Sequence, residues 1–564
     1  MRRSEYFLGP SGTTFLGRFP ARCWLVILAG ALAAGGVPAG RAASRTAGEK
    51  PDPGPAGFAF AEATIDELQD RMSRRALTSQ ELTAAYLRRI LAIDQEGPGL
   101  NAVIEINPDA MAIAAHCDAE RRAGRVLGPL HGIPVLIKDN IDTADHMATT
   151  AGSLALIGAR PARDATVVER LREAGAVILG KTNLSEWANF RSTGSLNGWS
   201  ARRGLTHNPY ALDRSASGSS SGSAAAVAAN LCVVAVGTET DGSIMSPASV
   251  NGIVGIKPTV GLISRAGLIP ISASQDTPGP MARTVRDAAL LLAVLAGPDP
   301  ADSATRAQPA ALPAEISRRL ASGGLKGARI GVVRGPFGFH PSLQPILSEA
   351  VAALRAAGAV IVDPVEFRPS GQLKRAEEEV LLYEFKDGLN RYLAALGPKA
   401  PVKSLEDVIF FNLRHAEVEL AQFDQELLER AQTKGRLTAP DYLAARATCV
   451  RLARTEGIDA ILAAHHLDAL VALTSSPAWP SDPVNGDPVM GGSSTLAAVA
   501  GYPSVTVPAA QVAGLPVGLS FIGRAWSEAR LLALAEDFEQ QTRARREPRF
   551  LSPGNFRESL RVRR

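Results

Sequence analysis

The stretch SGSSSGSAAAVAA, residues 217–229, joins a serine-rich loop to a run of small apolar residues. Its segment GSSSG, residues 218–222, matches G-x-S-x-G, the pattern of a nucleophile elbow, in which a strained strand-to-helix turn presents a catalytic serine. That interpretation would make Ser220 a nucleophile. The alternatives are a flexible linker, which the composition alone favours, and an ordered loop with a different role.

The residues on either side of this stretch argue against the first two interpretations. Residues 207–218, HNPYALDRSASG, form a polar loop, whereas an elbow serine needs a strand before it and a histidine base. The downstream histidines lie in segments predicted as loop or helix edge: His340, His415, His465 and His466. The loop runs directly into AAAVAANL and the apolar run CVVAVG. We therefore expect an ordered loop at the N-terminus of a core helix, where backbone N–H groups point outward.

The composition is that of a globular protein whose excess charge lies near the amino end. The 564 residues are 46% apolar and 21% charged, which is enough to build a large core. The net charge of +4 comes from residues 1–43, where five arginines face Glu5 alone. The remainder is electroneutral, so we expect no nucleic acid partner and a small neutral substrate. The cysteines lack the close pairs of zinc sites, and we expect neither a metal nor a cofactor.

Residues 1–43 have the features of an export signal. Arginines precede the apolar run at 24–36, and small residues suited to cleavage near Ala42 or Ala43 follow. An uncleaved anchor is the alternative, but the run is shorter than the ~20 residues that span a bilayer. We predict an exported protein, periplasmic or secreted, without stable membrane association after cleavage. Residues 44–59, rich in proline and glycine, are predicted to be a flexible linker.

From about residue 60, apolar runs alternate with helical ones, which predicts an α/β fold with buried strands. PVLIKDNI, AVILGKTN and VVAVGTET are predicted strands, and capping-box signals at Thr64 and Thr78 predict two early helices. Residues 300–465 are mostly helical, apart from two strand-like runs, and are predicted to be an excursion from the core. ALVALTSS, SVTVPAA and LPVGLSFIG are predicted to return to the first sheet, giving one domain over 60–550.

Three motifs follow one another in the first half of this domain. They are GIPVLIKDN at 132–140, SGSSSGSAAAVAA at 217–229 and GTETDGSIMSPASVNGIVGIKPT at 237–259. Their order and separations make the chain from about 60 to 545 resemble the amidase signature family. Its similarity to the bacterial peptide amidases is greatest, through TETDGSI, SRAGLIPISASQDTPGPMART, SPAWP and the ending GYPSVTVPA…GLPVGLSFIGRAWSE. The resemblance implies a central mixed sheet flanked by helices, with a largely helical insertion.

The resemblance also implies a set of catalytic positions. The family uses a serine nucleophile, a bridging serine preceded by a cis peptide bond, and a lysine, which fall here on Ser243, Ser219 and Lys138. Ser220 would be a supporting residue rather than the nucleophile. The oxyanion hole would be formed by the backbone of Thr240, Asp241, Gly242 and Ser243. No histidine, metal or cofactor is required.

These residue types suit the cleavage of an amide, a poor electrophile with a poor leaving group. The reaction needs an activated hydroxyl, donors for the oxyanion and an acid for the departing nitrogen. A lysine can be first base and then acid only if burial brings its pKa toward neutral. Lys138 ends the apolar run IPVLI, but by sequence alone it is as readily an ion-pair partner of Asp139. Ser219 would pass the proton between Lys138 and Ser243.

Four positions depart from the commonest pattern of the family. Glu239 stands where aspartate is usual, Asp241 and Ser221 where glycine is usual, and Met245 where arginine is frequent. A carboxylate aimed into an oxyanion hole would oppose the developing negative charge. We therefore predict that Asp241 points away or binds a substrate N–H. The missing arginine leaves open how the Ser219 loop is held.

The leading hypothesis is a hydrolase of carboxamides that forms an acyl-enzyme on Ser243, with peptide C-terminal amides as the favoured substrate and ammonia as the leaving group. One alternative is the glutamine-hydrolysing component of a tRNA-dependent amidotransferase, which the export signal opposes because aminoacyl-tRNA and ATP are cytosolic. Another is a noncatalytic relative that only binds peptides, which the intact Lys138, Ser219 and Ser243 oppose.

Overall fold

The computed structural model describes residues 57–318, 323–337, 341–367 and 371–562. The predicted export signal, residues 1–43, and most of the predicted linker, residues 44–59, lie outside the described residues. Within the described ranges, the helices are too short or too polar to cross a membrane.

The strands of the described chain form one eleven-stranded sheet and one short hairpin. In chain order the strands are β1 (Val103–Ile106), β2 (Pro134–Lys138), β3 (Val177–Thr182), β4 (Trp199–Ser200), β5 (Gly204–Leu205), β6 (Val234–Glu239), β7 (Val254–Lys257), β8 (Thr277–Ala282), β9 (Arg329–Val332), β10 (Val360–Val362), β11 (Ala469–Leu473), β12 (Ser504–Val512) and β13 (Leu515–Ile522). The order across the sheet is β1-β3-β2-β6-β8-β7-β12-β13-β11-β9-β10, and β4 pairs with β5. Parallel and antiparallel pairs both occur, so the predicted mixed sheet is confirmed.

Helices flank this sheet along the whole described chain. They are α1 (Ile65–Ser73), α2 (Ser79–Arg89), α3 (Ala110–Arg122), α4 (Thr166–Glu173), α5 (Ser221–Ala228), α6 (Met245–Val250), α7 (Val285–Leu295), α8 (Leu312–Arg318), α9 (Leu343–Ala356), α10 (Gly371–Ala395), α11 (Leu405–Arg414), α12 (Ala416–Glu419), α13 (Glu426–Gln432), α14 (Pro440–Val450), α15 (Asp459–Ala464), α16 (Thr495–Ala500), α17 (Glu528–Thr542) and α18 (Pro553–Val562). Both predicted capping boxes are present, with Thr64 and Thr78 accepting from the backbone of the glutamates three residues later.

The strands β2, β3 and β6 bring charged and polar side chains to one edge of the sheet. They run parallel to one another and are buried along their whole length, as expected for strands covered on both faces. The carboxyl ends of parallel strands meet at the same edge. Lys138, which ends β2, and Glu239, which ends β6, therefore lie at that edge.

The helix α5 fits closely against the same end of the sheet because its residues are small. All eight are buried. At Gly222 an added Cβ would lie 2.2 Å from the carbonyl oxygen of Ala102 and 2.6 Å from that of Asn183, so this helix contacts backbone directly. A larger residue would push the preceding serine loop away from the strand ends.

The helical excursion, residues 300–465, shares its strands with the rest of the molecule. β10 pairs in parallel with β9, and β9 with β11, so the two strand-like runs form one edge of the central sheet. The carboxyl-terminal strands return to that sheet as predicted, since β12 pairs with β7 and β13. Leu389 and Phe385 of α10 lie in one apolar cluster with Trp187 and Phe190, which packs the excursion against the first half of the chain.

Candidate active site

Lys138 is fully buried, and its amine is surrounded by hydroxyl and carbonyl oxygens. Nζ donates to Ser219 Oγ at 2.7 Å, to Thr238 Oγ1 at 2.9 Å and to the Thr238 carbonyl at 3.3 Å. Among the described residues, Asp139 instead makes its salt bridge with Arg202. The alternative of an ion pair between Lys138 and Asp139 is therefore wrong.

Burial sets the protonation of this amine. It lowers the pKa of Lys138 from its ordinary value of 10.5 to about 7, although the negative charges of Asp276 and Glu239 raise it in part. An appreciable fraction of the amine is then neutral near pH 7. In that form it can accept a proton from the hydroxyl to which it is hydrogen-bonded.

The serine loop brings Ser219 to Lys138 and lies against Ser243. The peptide bond between Gly218 and Ser219 is cis. Ser219 is fully buried, and the next residue, Ser220, donates its backbone N–H to the carbonyl of Ser243 at 3.1 Å. Ser243 itself is 8% exposed, so it retains limited access to solvent. Of the three residues implied by the resemblance, Lys138 thus ends a strand, and Ser219 and Ser243 lie in two loops that contact each other.

The hydroxyl of Ser220, the serine of the G-x-S-x-G match, is hydrogen-bonded to the backbone of the neighbouring strand β6. Its Oγ donates to the Thr238 carbonyl at 2.9 Å and accepts from the Thr238 N–H at 3.1 Å. The strand that precedes it in the described chain, β5, ends at Leu205, so no strand leads into a nucleophile elbow. The hydrogen bonds of Ser220 instead attach the serine loop to β6.

Serine hydroxyls hold the loop in place of the arginine that the resemblance led us to expect at position 245. Ser217 Oγ and Ser246 Oγ are 2.8 Å apart, and Ser246 Oγ donates to Ser475 Oγ at 3.2 Å. Met245 is 1% exposed and packs in the interior. Hydrogen bonds from α6 and from the segment after β11 thus secure the loop without an arginine.

Glu239 accepts hydrogen bonds from the backbone that follows the turn at residues 240–243. One oxygen of this carboxylate, Oε2, accepts the N–H groups of Ile244 at 2.7 Å and Met245 at 2.9 Å. Gly242 has a φ of +79°, which favours glycine, and an added Cβ would lie 2.9 Å from Ser494 Oγ. Glu239 therefore fixes the backbone beyond Ser243.

The side chains of Thr240 and Asp241 anchor the turn on two sides. Thr240 Oγ1 donates to Asp276 Oδ1 at 2.6 Å. The two carboxylate oxygens of Asp241 accept from Ser494 Oγ at 2.6 Å and from Thr495 Oγ1 at 2.7 Å, at the start of α16. The carboxylate is thus engaged by hydroxyl groups of the protein.

Sequence reasoning did not assign several residues that build this site. Gln275 and Asp276 lie in the run SQDTPGP, which carried part of the resemblance and could have drawn attention to them. Ser494 and Thr495 lie where a Gly/Ser-rich segment without a distinguishing pattern enters α16. Only the fold brings them to Asp241.

Known proteins resemble this chain in sequence and in overall structure. A family model described as Amidase matches residues 81–532. A probable amidase of Arabidopsis thaliana is 44% identical over 505 residues, covering 88% of this chain and 93% of that protein. A glutamyl-tRNA(Gln) amidotransferase component of Moorella thermoacetica is 36% identical, covering 85% and 96%. The structure of native peptide amidase from Stenotrophomonas maltophilia has 56% identity and a TM-score of 0.84, covering 87% and 99%.

The chain belongs to the amidase signature family. It has the family's α/β fold, and it is a hydrolase that acts on carbon–nitrogen bonds of amides.

Proposed function

We propose that the chain cleaves carboxamides through an acyl-enzyme on Ser243, with Ser219 and Lys138 as the proton relay. The observation that carries the proposal is the 2.7 Å hydrogen bond between Lys138 Nζ and Ser219 Oγ, made by a buried lysine whose pKa is lowered to about 7. Neutral Lys138 takes the proton of Ser219, which takes that of Ser243. The Ser243 oxygen then attacks the amide carbon.

The backbone N–H groups of the turn are proposed to stabilise the tetrahedral intermediate. This oxyanion hole comprises Thr240, Asp241, Gly242 and Ser243. Support comes from the rigid hold on the turn by Glu239, Asp276 and Ser494, because preorganised donors cost no reorganisation during the reaction. When the intermediate collapses, the proton returns from Lys138 through Ser219 to the leaving nitrogen. Water then releases the acid from Ser243 by the same relay.

The proposed substrates are peptides that end in a C-terminal amide, with ammonia as the product. The 56% identity to a peptide amidase over nearly the whole of that chain supports this substrate class. The electroneutral composition after residue 43 fits a small neutral substrate rather than a polyanion.

Ammonia release from a panel of peptide amides, simple aliphatic amides and glutamine tests this proposal, with Ser243→Ala beside the wild type. We expect release from peptide amides by the wild type and its loss in the variant. Equal activity of Ser243→Ala would contradict the role of the nucleophile. No release from any amide, together with no labelling of Ser243 by an acyl-directed probe, would favour a noncatalytic peptide-binding protein.

A second candidate is the glutaminase component of a tRNA-dependent amidotransferase, which the 36% identity to such a component favours. It requires partner proteins and tRNA. Strong preference for glutamine in the same panel, or tRNA in the purified protein, would support it over the first proposal.

We also propose that the protein is exported, on the pattern of residues 1–43, to the periplasm or the medium. Fractionation of cells that express the whole chain, and amino-terminal sequencing of the mature protein, test this. Cleavage near Ala42 or Ala43 is expected, whereas an intact amino terminus on cytoplasmic protein would contradict export.

A further inference from the structure

The helical excursion reaches the turn at residues 240–243 through one glutamate. Glu377, on α10, is 6% exposed, and its Oε1 accepts from Gln275 Nε2 at 3.0 Å. The same Gln275 nitrogen donates to the carbonyl of Thr240 at 3.3 Å. Gln275 thus connects a helix of the excursion with the first residue of the turn.

The carboxyl group of Glu377 also lies close enough to that of Asp241, the second residue of the turn, for the two to share a proton. A hydrogen bond between two carboxyl groups requires that one of them carries a proton. Asp241 already accepts from the hydroxyls of Ser494 and Thr495, an environment that favours its ionised form. Burial and the negative charge of Asp241 raise the pKa of Glu377 well above its ordinary range. Glu377 is therefore the protonated partner.

The charged and titratable groups around this pair come from four elements. Besides each other, the two carboxyls face Glu239 at the end of β6, Lys257 at the end of β7, Lys374 on α10 and Cys449 on α14. The two lysines favour one negative charge on the pair. The negative charge of Glu239 makes a second negative charge on the pair less favourable.

We propose that Glu377 is a positioning residue, which in its protonated form holds Asp241 and, through Gln275, Thr240, so that its ionisation as the pH rises disturbs the turn and reduces activity. The proposal rests on the proposed function of this turn as the oxyanion hole. It gives the helical excursion a part in the reaction, because an ionised Glu377 would lose its bond to Asp241 and place two repelling charges beside the backbone donors.

Glu377→Gln tests the proposal because an amide can donate to Asp241 and accept from Gln275 but cannot ionise. We expect kcat/KM of Glu377→Gln within about threefold of the wild type near neutral pH, with the fall at higher pH moved up by about one pH unit or more. Glu377→Leu, which can make neither bond, should lose up to about 10²-fold in kcat. Coincident pH profiles of the wild type and Glu377→Gln, or equal activity of the Leu and Gln variants, would overturn the proposal.

Glu384→Gln is the matched control, because Glu384 lies two turns further along α10 and is equally buried. Its carboxylate accepts from Ser272, Ser274 and Tyr442 rather than from residues of the turn. We expect its high-pH limb to match that of the wild type. A shift equal to that of Glu377→Gln would show a general effect of α10 and overturn the proposal.

Melting curves provide a measurement that does not depend on turnover. A folded-state pKa of Glu377 above the unfolded value of 4.5 means that the wild type loses stability as pH rises from 4.5 through the folded pKa. Glu377→Gln should lack this loss, so its Tm relative to wild type should rise as the pH increases above 4.5, until Glu377 ionises in the folded wild type. A constant difference would exclude the shared proton. If no amide is cleaved, the proposed function fails, and these curves still test the pair.

Discussion

Lys138 and Lys257 are both fully buried and both end a strand, yet their amines have different partners. Lys138 donates to the hydroxyls of Ser219 and Thr238, whereas Lys257 donates to the carbonyl of Pro258 at 3.0 Å. Burial lowers the pKa of both, to about 7 for Lys138 and about 8 for Lys257.

Burial alone therefore does not make a catalytic base. A hydroxyl such as that of Ser219 can give up one proton while it accepts another, but a backbone carbonyl can do neither. Around Lys257, the negative charges of Glu239 and Glu528 raise the pKa that burial lowers, and Glu239 uses its other interactions to hold the turn. In the proposed relay Lys138 transfers protons, whereas Lys257 balances the charge of its neighbouring carboxylates.

The largest difference should appear when each lysine is replaced by methionine, which keeps most of its volume. Lys138→Met removes the proposed base, so kcat/KM should fall by about 10²–10⁴-fold. Lys257→Met should stay within about tenfold of the wild type, because its amine does not contact the relay. Initial rates of ammonia release, with circular dichroism as a check on folding, measure both. Equal losses of kcat/KM in the two variants would contradict the different roles assigned to the two lysines.

The adjacent serines Ser219 and Ser220 provide a second comparison, between a residue of the proposed relay and a structural one. Ser219→Ala breaks the proposed relay, and we expect a loss of about 10²-fold or more in kcat. Ser220→Ala loses only the bonds to the Thr238 backbone, at a cost of about 1 kcal/mol in the free energy of unfolding. Kinetics and urea denaturation of both variants separate the two effects. A larger kinetic loss in Ser220→Ala would restore the elbow interpretation.

The pH dependence of kcat/KM should report Lys138 and not Lys257. Only the neutral amine of Lys138 can accept a proton, so activity should rise through about pH 7 and fall about tenfold per pH unit below it. The same limb should remain in Lys257→Met. A limb that moves in that variant, or an apparent pKa near the ordinary lysine value of 10.5, would contradict the assignment.

The smallest difference between the two lysines is the pH at which each begins to change the stability. A lysine with a depressed folded-state pKa makes the protein more stable as pH rises from that pKa to 10.5, because the unfolded chain then binds more protons. The free energy of unfolding of the wild type should therefore rise with pH, and each methionine variant should lack one part of this rise. The part missing in Lys138→Met should begin near pH 7 and the part missing in Lys257→Met near pH 8. Each should have a slope of up to about 1.4 kcal/mol per pH unit. Urea denaturation over this range measures the two onsets, and identical onsets would contradict the difference.

Much of the scaffold could be predicted because it depends on short-range patterns. The apolar runs that end at Lys138 and Glu239 predicted buried strands, and the small residues after Ser220 predicted a core helix. The capping boxes at Thr64 and Thr78 fixed two helix starts. The roles of Gln275, Ser494 and Glu377 could not be found this way, since each depends on a contact between distant segments.

The sequence by itself determined that Lys138 would end a buried strand, that the serine loop would precede a helix of small residues, and that a glycine-containing turn would follow another buried strand. Local patterns suffice for that, because strand burial and helix capping act over a few residues. Only the tertiary structure decided that Ser219 rather than Ser220 bonds Lys138, and that Asp241 turns to α16 and Glu377. Those choices depend on which polar groups meet when sheet and helices pack, since a buried polar atom must find its partner there.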